Sequence, residues 1–397
     1  MTAGAAALMV RFAERTGLTS SRPERRYLWT DAFALCNFLG LARATGESRY
    51  GDLALRLVDR VHCRLGSHRS DDKRRGWISG LAPEEGVRHP TRGGLRIGKK
   101  LPERAADEPD DDALEWDRDG QYFHYLTKWM HALDQVTRES GVPTFNAWAR
   151  ELAAAAYAAF IYTTPDGGRC MYWKMSIDLR RPLVSSMGQH DPLDGFVTFA
   201  QLEATAARLP QSGAAPSLRA AASELAAMIE TNRLATADPL GLGGLLTDAY
   251  RVDQLERERA LVAGGLRDLL LASALAGLEH YVRTGELERR AEQRLAFREL
   301  GLAVGLRAVA HMRQARSADP SGEAVGAELI ENLAAHMAVA DRIVTFWLDP
   351  AHAAVEAWTE HLDINEVMLA TALAPEGFLV LGPDPTDAIT PLRRPTS

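Results

Sequence analysis

The chain has 397 residues, a formal net charge of −7, 25% charged residues and 46% hydrophobic ones. Such mild acidity excludes a protein whose main task is coating nucleic acid or an anionic membrane, and no apolar window approaches the roughly 18 residues of a membrane helix. Only five of the 46 basic residues are lysine (Lys73, Lys99, Lys100, Lys128 and Lys174), all in the first half, where six of the eight tryptophans also lie.

The opening MTAGAAALMVRFAERTGL breaks its apolar stretch with Arg11, Glu14 and Arg15, which predicts an amphipathic helix rather than a signal peptide. Cys36, Cys63 and Cys170 are an odd, widely spaced set without a CxxC pair, as expected of reduced cysteines in a cytoplasmic protein. Apolar residues recur at helical spacing almost throughout, while alternating runs are nearly absent. The spacing predicts helices over 2–17, 27–45, 49–66, 119–139, 143–161, 191–207, 213–231, 241–252, 256–283, 288–314, 323–347 and 352–372. Gly46, Gly141 with Pro143, Pro210 and Asp319-Pro320 punctuate them. Residues 1–375 are expected to form one domain and 376–397 an irregular tail.

Connector lengths carry the architecture. Short links at 46–48, 140–142, 208–212 and 253–255 alternate with longer ones, of which 67–118 and 162–190 are far too long for turns. Helices joined by short links form antiparallel hairpins, so the long links should emerge together on one face, where loops of that length usually serve function. About twelve helices paired in this way predict an all-α, (α/α)6 toroid-like barrel.

Three segments, RRYLWTDAFALCNFLGLARATGESRYGDLALRLVD, DGQYFHYLTKWMHALDQVTRESG and SMGQHDPLDGF, together with this plan, resemble the six-hairpin glycosidase-like superfamily. The resemblance is architectural and names no family within it. It implies a carbohydrate pocket at the end of the barrel where the long loops meet.

Carboxylates gather at the helix starts on that face: Trp29-Thr30-Asp31, the run from Glu115 to Gln121, and His190-Asp191-Pro192-Leu193-Asp194. Each could be a helix cap, Asp191-Pro192 most of all. Their convergence beside aromatic residues points instead to sugar chemistry, in which two carboxyls flank the scissile bond and rings stack on aromatic faces. Asp119 or Asp117 is expected as the general acid and Asp194 or Asp31 as the second carboxylate. Gln121, His124, Lys128 and His131 share one stripe of helix 119–139, opposite Tyr122, Leu126, Trp129 and Leu133. A histidine at the rim, His124 or His190, supports an isomerase or epimerase as the alternative, and a silent sugar- or protein-binding barrel is the third possibility.

The loop run from His89 to Lys100 joins flexible glycines to Arg92, Arg96, Lys99 and Lys100, which suits a carboxylate or phosphate, or is a solvated basic loop balanced by the acidic run from Asp107 to Asp112. Trp77, Trp116, Trp173 and Lys174, also in the long loops, complete the expected substrate-binding set with Trp29. The string Asp111-Asp112-Ala113-Leu114-Glu115 resembles a metal-binding DDxxE only by letter, and no HxH or HExxH occurs. The expected partner is therefore a small carbohydrate, possibly anionic, handled without metal or cofactor and without nucleic acid or membrane.

Overall fold

Most of the expected helices form, because only an α-helix brings their apolar residues onto one side. The computed structural model describes residues 1–109, 111–209, 215–318 and 324–383. Position 110 of the acidic run, the breaks at Pro210 and Asp319-Pro320, and the tail from 384 lie outside them. In chain order the first elements are α1 (Thr2–Arg15), α2 (Leu28–Thr45), α3 (Ser48–Leu65), α4 (Pro83–Arg88), α5 (Asp112–Glu115), β1 (Gln121–Tyr122), α6 (Phe123–Ser140) and α7 (Pro143–Phe160). Then come β2 (Ile161–Thr163), β3 (Arg169–Met171), β4 (Lys174–Met175), β5 (Pro182–Val184), α8 (Asp191–Arg208), α9 (Arg219–Ala227), α10 (Pro239–Arg257) and α11 (Leu266–Arg283). The chain closes with α12 (Ala296–Ala318), α13 (Ala324–Ala334), α14 (Met337–Leu348), α15 (Glu356–Thr359), α16 (Leu362–Leu373) and α17 (Glu376–Leu379). The protein is mainly helical, and no described helix is long and apolar enough to cross a membrane.

The differences from the expected elements have local causes. The fourth helix starts at Phe123, not 119, because Gln121 and Tyr122 pair as β1 with Met175 and Lys174 of β4. Residues 161–184 carry four short strands: β4 also pairs with β5, and β2 with β3. Strands of two or three residues are too short to show alternation. The expected helix 256–283 forms only from Leu266, after Arg259, Gly264 and Gly265 take positive φ. The span 323–347 divides between α13 and α14, and a helical turn at Glu376–Leu379 replaces the start of the irregular tail.

By chain contacts the described residues group into two compact units: one within 1–12, 43–46 and 230–381, the other within 13–42, 47–229 and 382–383. In the first, α12 packs on α10, α13, α14 and α16, and α10 on α11. Arg11 reaches Glu366 at 3.1 Å, while a buried Arg294–Glu299 pair at 2.7 Å also receives the Trp347 indole N–H at 2.8 Å.

The second unit holds α6 at its centre, packed on α7 and α8. Both sides of α6 are buried: Leu126, Trp129 and Leu133 on one, His131, Asp134 and Arg138 on the other. Asp134 and His131 are satisfied internally. Asp134 accepts from Asn146 at 2.9 Å, Gln201 at 2.8 Å, Thr205 at 2.9 Å and Arg138 at 3.2 Å, and His131 Nδ1 lies 3.0 Å from Gln201 Oε1. Buried polar groups are tolerable only when partnered in this way.

The long segments 67–118 and 162–190 do meet within this unit. Arg74 bonds Asp178 at 3.1 Å, Glu103 accepts from the Ile177 amide at 2.6 Å, and Arg104 donates to the Leu183 carbonyl at 3.0 Å.

Candidate acid–base site

Where α6 leaves β1 and α8 begins, two first turns face each other. Residues three or four apart share one helix face, so α6 presents His124, Thr127 and Lys128, and α8 presents Asp191 and Asp194. Lys128 Nζ donates to Asp194 Oδ1 at 2.8 Å, and the Thr127 hydroxyl donates to Asp194 Oδ2. The Asp194 charge is thus fixed in place.

Asp191 is differently situated. Its side chain is 8% exposed, and its Oδ1 lies 3.7 Å from His124 Nδ1, just beyond hydrogen-bond reach. Both Asp191 Oδ2 and His124 Nδ1 are buried atoms with no hydrogen-bond partner, an uncommon state for buried polar groups. Burial, reinforced by the Asp194 charge, pushes the Asp191 carboxyl up to about 7 against the pull of Lys128. Burial, with Lys128 beside it, pulls the His124 imidazole down to about 4. Near neutral pH the site therefore holds an uncharged imidazole beside a carboxyl that is about half protonated.

Aromatic rings wall the cluster. The rings of His124, Tyr122 and Trp173 form a triangle, with Tyr122 5.3 Å and Trp173 6.2 Å from His124 and 5.4 Å from each other. Trp173 meets the half-exposed Trp116 ring edge-on at 5.1 Å. In the other direction Tyr125 lies 4.9 Å from His124, and its hydroxyl bonds that of Tyr27 at 2.8 Å. Trp29 is 6.5 Å from Tyr125, and Lys99 Nζ sits 5.5 Å from the centre of the Tyr27 ring. Asp117 is exposed and close enough for its charge to act on both Lys99 and Tyr27.

Of the expected site residues, the structure thus gathers His124, Lys128, Asp194, Trp29, Trp116, Trp173, Lys99 and Asp117 along one wall, with His190 as the residue before α8. Others are committed to holding the loops. Asp119 is fully buried and accepts from Arg96 at 2.9 Å, Arg69 at 3.2 Å and the Gly98 amide at 2.9 Å. It leaves no oxygen for a substrate. Arg96 also binds the carbonyls of Ser67 and Arg64. Asp31 pairs with Arg26 at 3.1 Å and accepts from the Tyr27 amide at 3.0 Å. The Gln121 amide bonds Gly93, Leu95 and Ile177 backbone atoms. Lys174 is buried on Glu115 and the Arg118 carbonyl at 2.8 and 2.9 Å. Trp77 packs against Gly86 and Gly66, and Lys100 is exposed.

Asp191 is the residue that capping logic hides. His190, not Asp191, occupies the N-cap, and Asp191 and Asp194 both fall in the first turn. The available signal was two acids three residues apart at a helix start, facing the cationic side of another helix. Gly188 marks the same spot, since a Cβ there would lie 2.5 Å from Asp191 Oδ2.

A separate cleft of 540 Å³ lies between the long segments, bordered by Arg69, Arg74, Glu103 and Asp178 among others. Three of its arginines are paired with carboxylates: Arg69 with Asp71 at 2.8 Å, Arg74 with Asp72 and Glu103 at 2.6 and 2.5 Å, and Arg104 with Glu115 at 3.1 Å. Among the described residues no group of three or more His, Cys, Asp or Glu is placed to hold a metal ion. No protein-family model matches the chain, and no curated protein matches it either.

Proposed function

We propose that this chain is a carbohydrate-active enzyme that hydrolyses a glycosidic bond, with Asp191 as general acid and Asp117 as the second carboxylate. The observation that carries the reading is Asp191: a buried carboxyl held near pH 7, unpartnered at Oδ2, beside a stack of aromatic rings. Glycosidases divide labour between a carboxyl in a low-polarity setting, which keeps its proton, and one in a polar, solvated setting, which does not. Asp191 is buried and Asp117 exposed. In the step proposed, Asp191 passes its proton to the glycosidic oxygen as the bond to the anomeric carbon breaks. Asp117 stabilises the positive charge that develops or takes a proton from the attacking water.

Asp194, fixed by Lys128 and Thr127, acts through Asp191 by disfavouring its ionisation. The arrangement of the helices as an (α/α)6 barrel of the six-hairpin glycosidase-like type belongs to this proposal, supported by their number and by the meeting of the long segments.

A second reading rests on His124. Its neutral, unpartnered Nδ1 next to a protonated carboxyl is an acid–base couple suited to moving a proton between neighbouring atoms of one sugar, as an isomerase or epimerase must.

A panel of aryl glycosides and reducing sugars separates the two. Hydrolysis is expected to fall steeply in Asp191→Asn, leaving a slow residual turnover of activated aryl glycosides, and to disappear in Asp117→Ala, with azide restoring turnover of an activated aryl glycoside by the latter. Solvent deuterium appearing at a sugar carbon, lost in His124→Ala, establishes the isomerase instead. If neither reaction occurs with any sugar in the panel, the enzymatic proposal falls.

A further inference from the structure

The five lysines divide sharply by what their ammonium groups touch. Lys128 is bound to Asp194 and Lys174 to Glu115, at 2.8 Å each. Lys73 and Lys100 are exposed. Lys99 alone is partly buried with no hydrogen bond or ion pair to its ammonium among the described residues, its contact being the face of Tyr27 at 5.5 Å.

The backbone beneath it is held unusually firmly. The Lys99 carbonyl accepts from Arg69 at 2.7 Å, and the Gly98 and Lys99 amides point to Asp119 Oδ1 at 2.9 and 3.4 Å. Asp119 is clamped in turn by Arg96 and Arg69. Gly98 has φ +92°, and a Cβ there would lie 2.2 Å from the Arg26 carbonyl oxygen, so the loop accepts only glycine at that point. A buried carboxylate and two arginines thus position one lysine.

We propose that Lys99 is the specificity-determining residue of the aromatic-walled site, binding an anionic group, carboxylate or phosphate, carried by the saccharide that His124 and Asp191 act upon. This inference rests on the carbohydrate reading above for the body of the ligand, but not for its charge. The wall is continuous: Lys99 lies over Tyr27, Tyr27 bonds Tyr125, and Tyr125 meets His124. A ligand stacked along it places one end at the acid–base couple and the other at the ammonium. Burial pulls Lys99 below the ordinary lysine value, with Asp117 opposing, so an arriving anion gains a partner already partly stripped of water, a setting in which a charge-assisted hydrogen bond is strong.

The test is calorimetric binding at low and high salt of methyl β-glucuronide against methyl β-glucoside, and of glucose 6-phosphate against glucose, with phenyl phosphate against phenol as a non-sugar pair. Wild type is expected to prefer the anion of at least one pair by about tenfold or more, roughly what a hydrogen bond to a charged group is worth. The preference should vanish in Lys99→Met, survive in Lys99→Arg and weaken with salt, with neutral sugars bound equally by all three proteins. The glucuronide and phosphate arms decide which anion it is. A preference shown only by phenyl phosphate, and lost in Lys99→Met, keeps the anion site and removes the saccharide. No preference in any pair, or a preference that Lys99→Met retains, overturns the inference.

Discussion

His124 Nδ1 and Asp191 Oδ1 face each other at 3.7 Å across the start of two helices, neither group charged by a partner and both displaced toward their neutral forms. A substrate hydroxyl or water placed between them would complete two hydrogen bonds at once. The pair therefore makes specific demands on pH.

Activity is expected to fall as pH rises through about 7, because the proton on Asp191 is the one the reaction consumes. The kcat/KM profile of wild type should show this alkaline limb, and the residual activity of Asp191→Asn should lack it. A limb unchanged in that variant would assign it to another group.

Neighbouring charges should move the limb in opposite directions. Lys128 lowers and Asp194 raises the Asp191 carboxyl, so Lys128→Met shifts the limb to higher pH and Asp194→Asn shifts it to lower pH. The two profiles, measured side by side, check the sign of both charges.

Stability carries the same signature. The folded value of Asp191, near 7, lies above the 3.8 of a free carboxyl, so its contribution is present at low pH and is lost as pH rises from about 4 to about 7. His124, near 4 in place of 6.5, does the reverse: folding excludes its proton, and stability rises with pH between those values. In wild type the two slopes nearly cancel from about 4 to 6.5, each being at most about 1.4 kcal/mol per pH unit. Thermal or urea denaturation of Asp191→Asn is expected to show stability rising across that window, and His124→Gln to show it falling.

Asp119 should behave as a strut. Asp119→Ala leaves the buried Arg96 guanidinium without its carboxylate and Arg69 with Asp71 alone, which costs about 3–5 kcal/mol, and loosens the backbone at Gly98 and Lys99. A urea midpoint lowered accordingly is the expected result. An unchanged midpoint with abolished turnover would restore Asp119 as a catalytic acid.

How far the site was legible depended on which property of each residue mattered. His124, Lys128 and Asp194 stood out because helical spacing puts them on defined faces, and Trp29, Trp116 and Trp173 because acidic residues flank two of them or a long loop carries the third. Asp119 and Asp31 carry the same sequence marks as a catalytic acid. Only partners distant in the chain, Arg96 and Arg69 for Asp119, distinguish a carboxylate bound in the structure from one left for chemistry. Asp191 was masked in the opposite sense, since an acid before proline at a helix start satisfies capping preferences whether or not its oxygens are used.

Periodicity by itself determined the helical class, most helix positions and the meeting of the two long segments, because helix formation and connector reach depend on residues near one another in sequence. The tertiary structure alone decided the short strands of 161–184, the burial of Asp191 beside His124 and the contacts of the Lys99 ammonium. Each of these depends on desolvation and on which charges lie within a few ångströms, and residues far apart in the chain supply both.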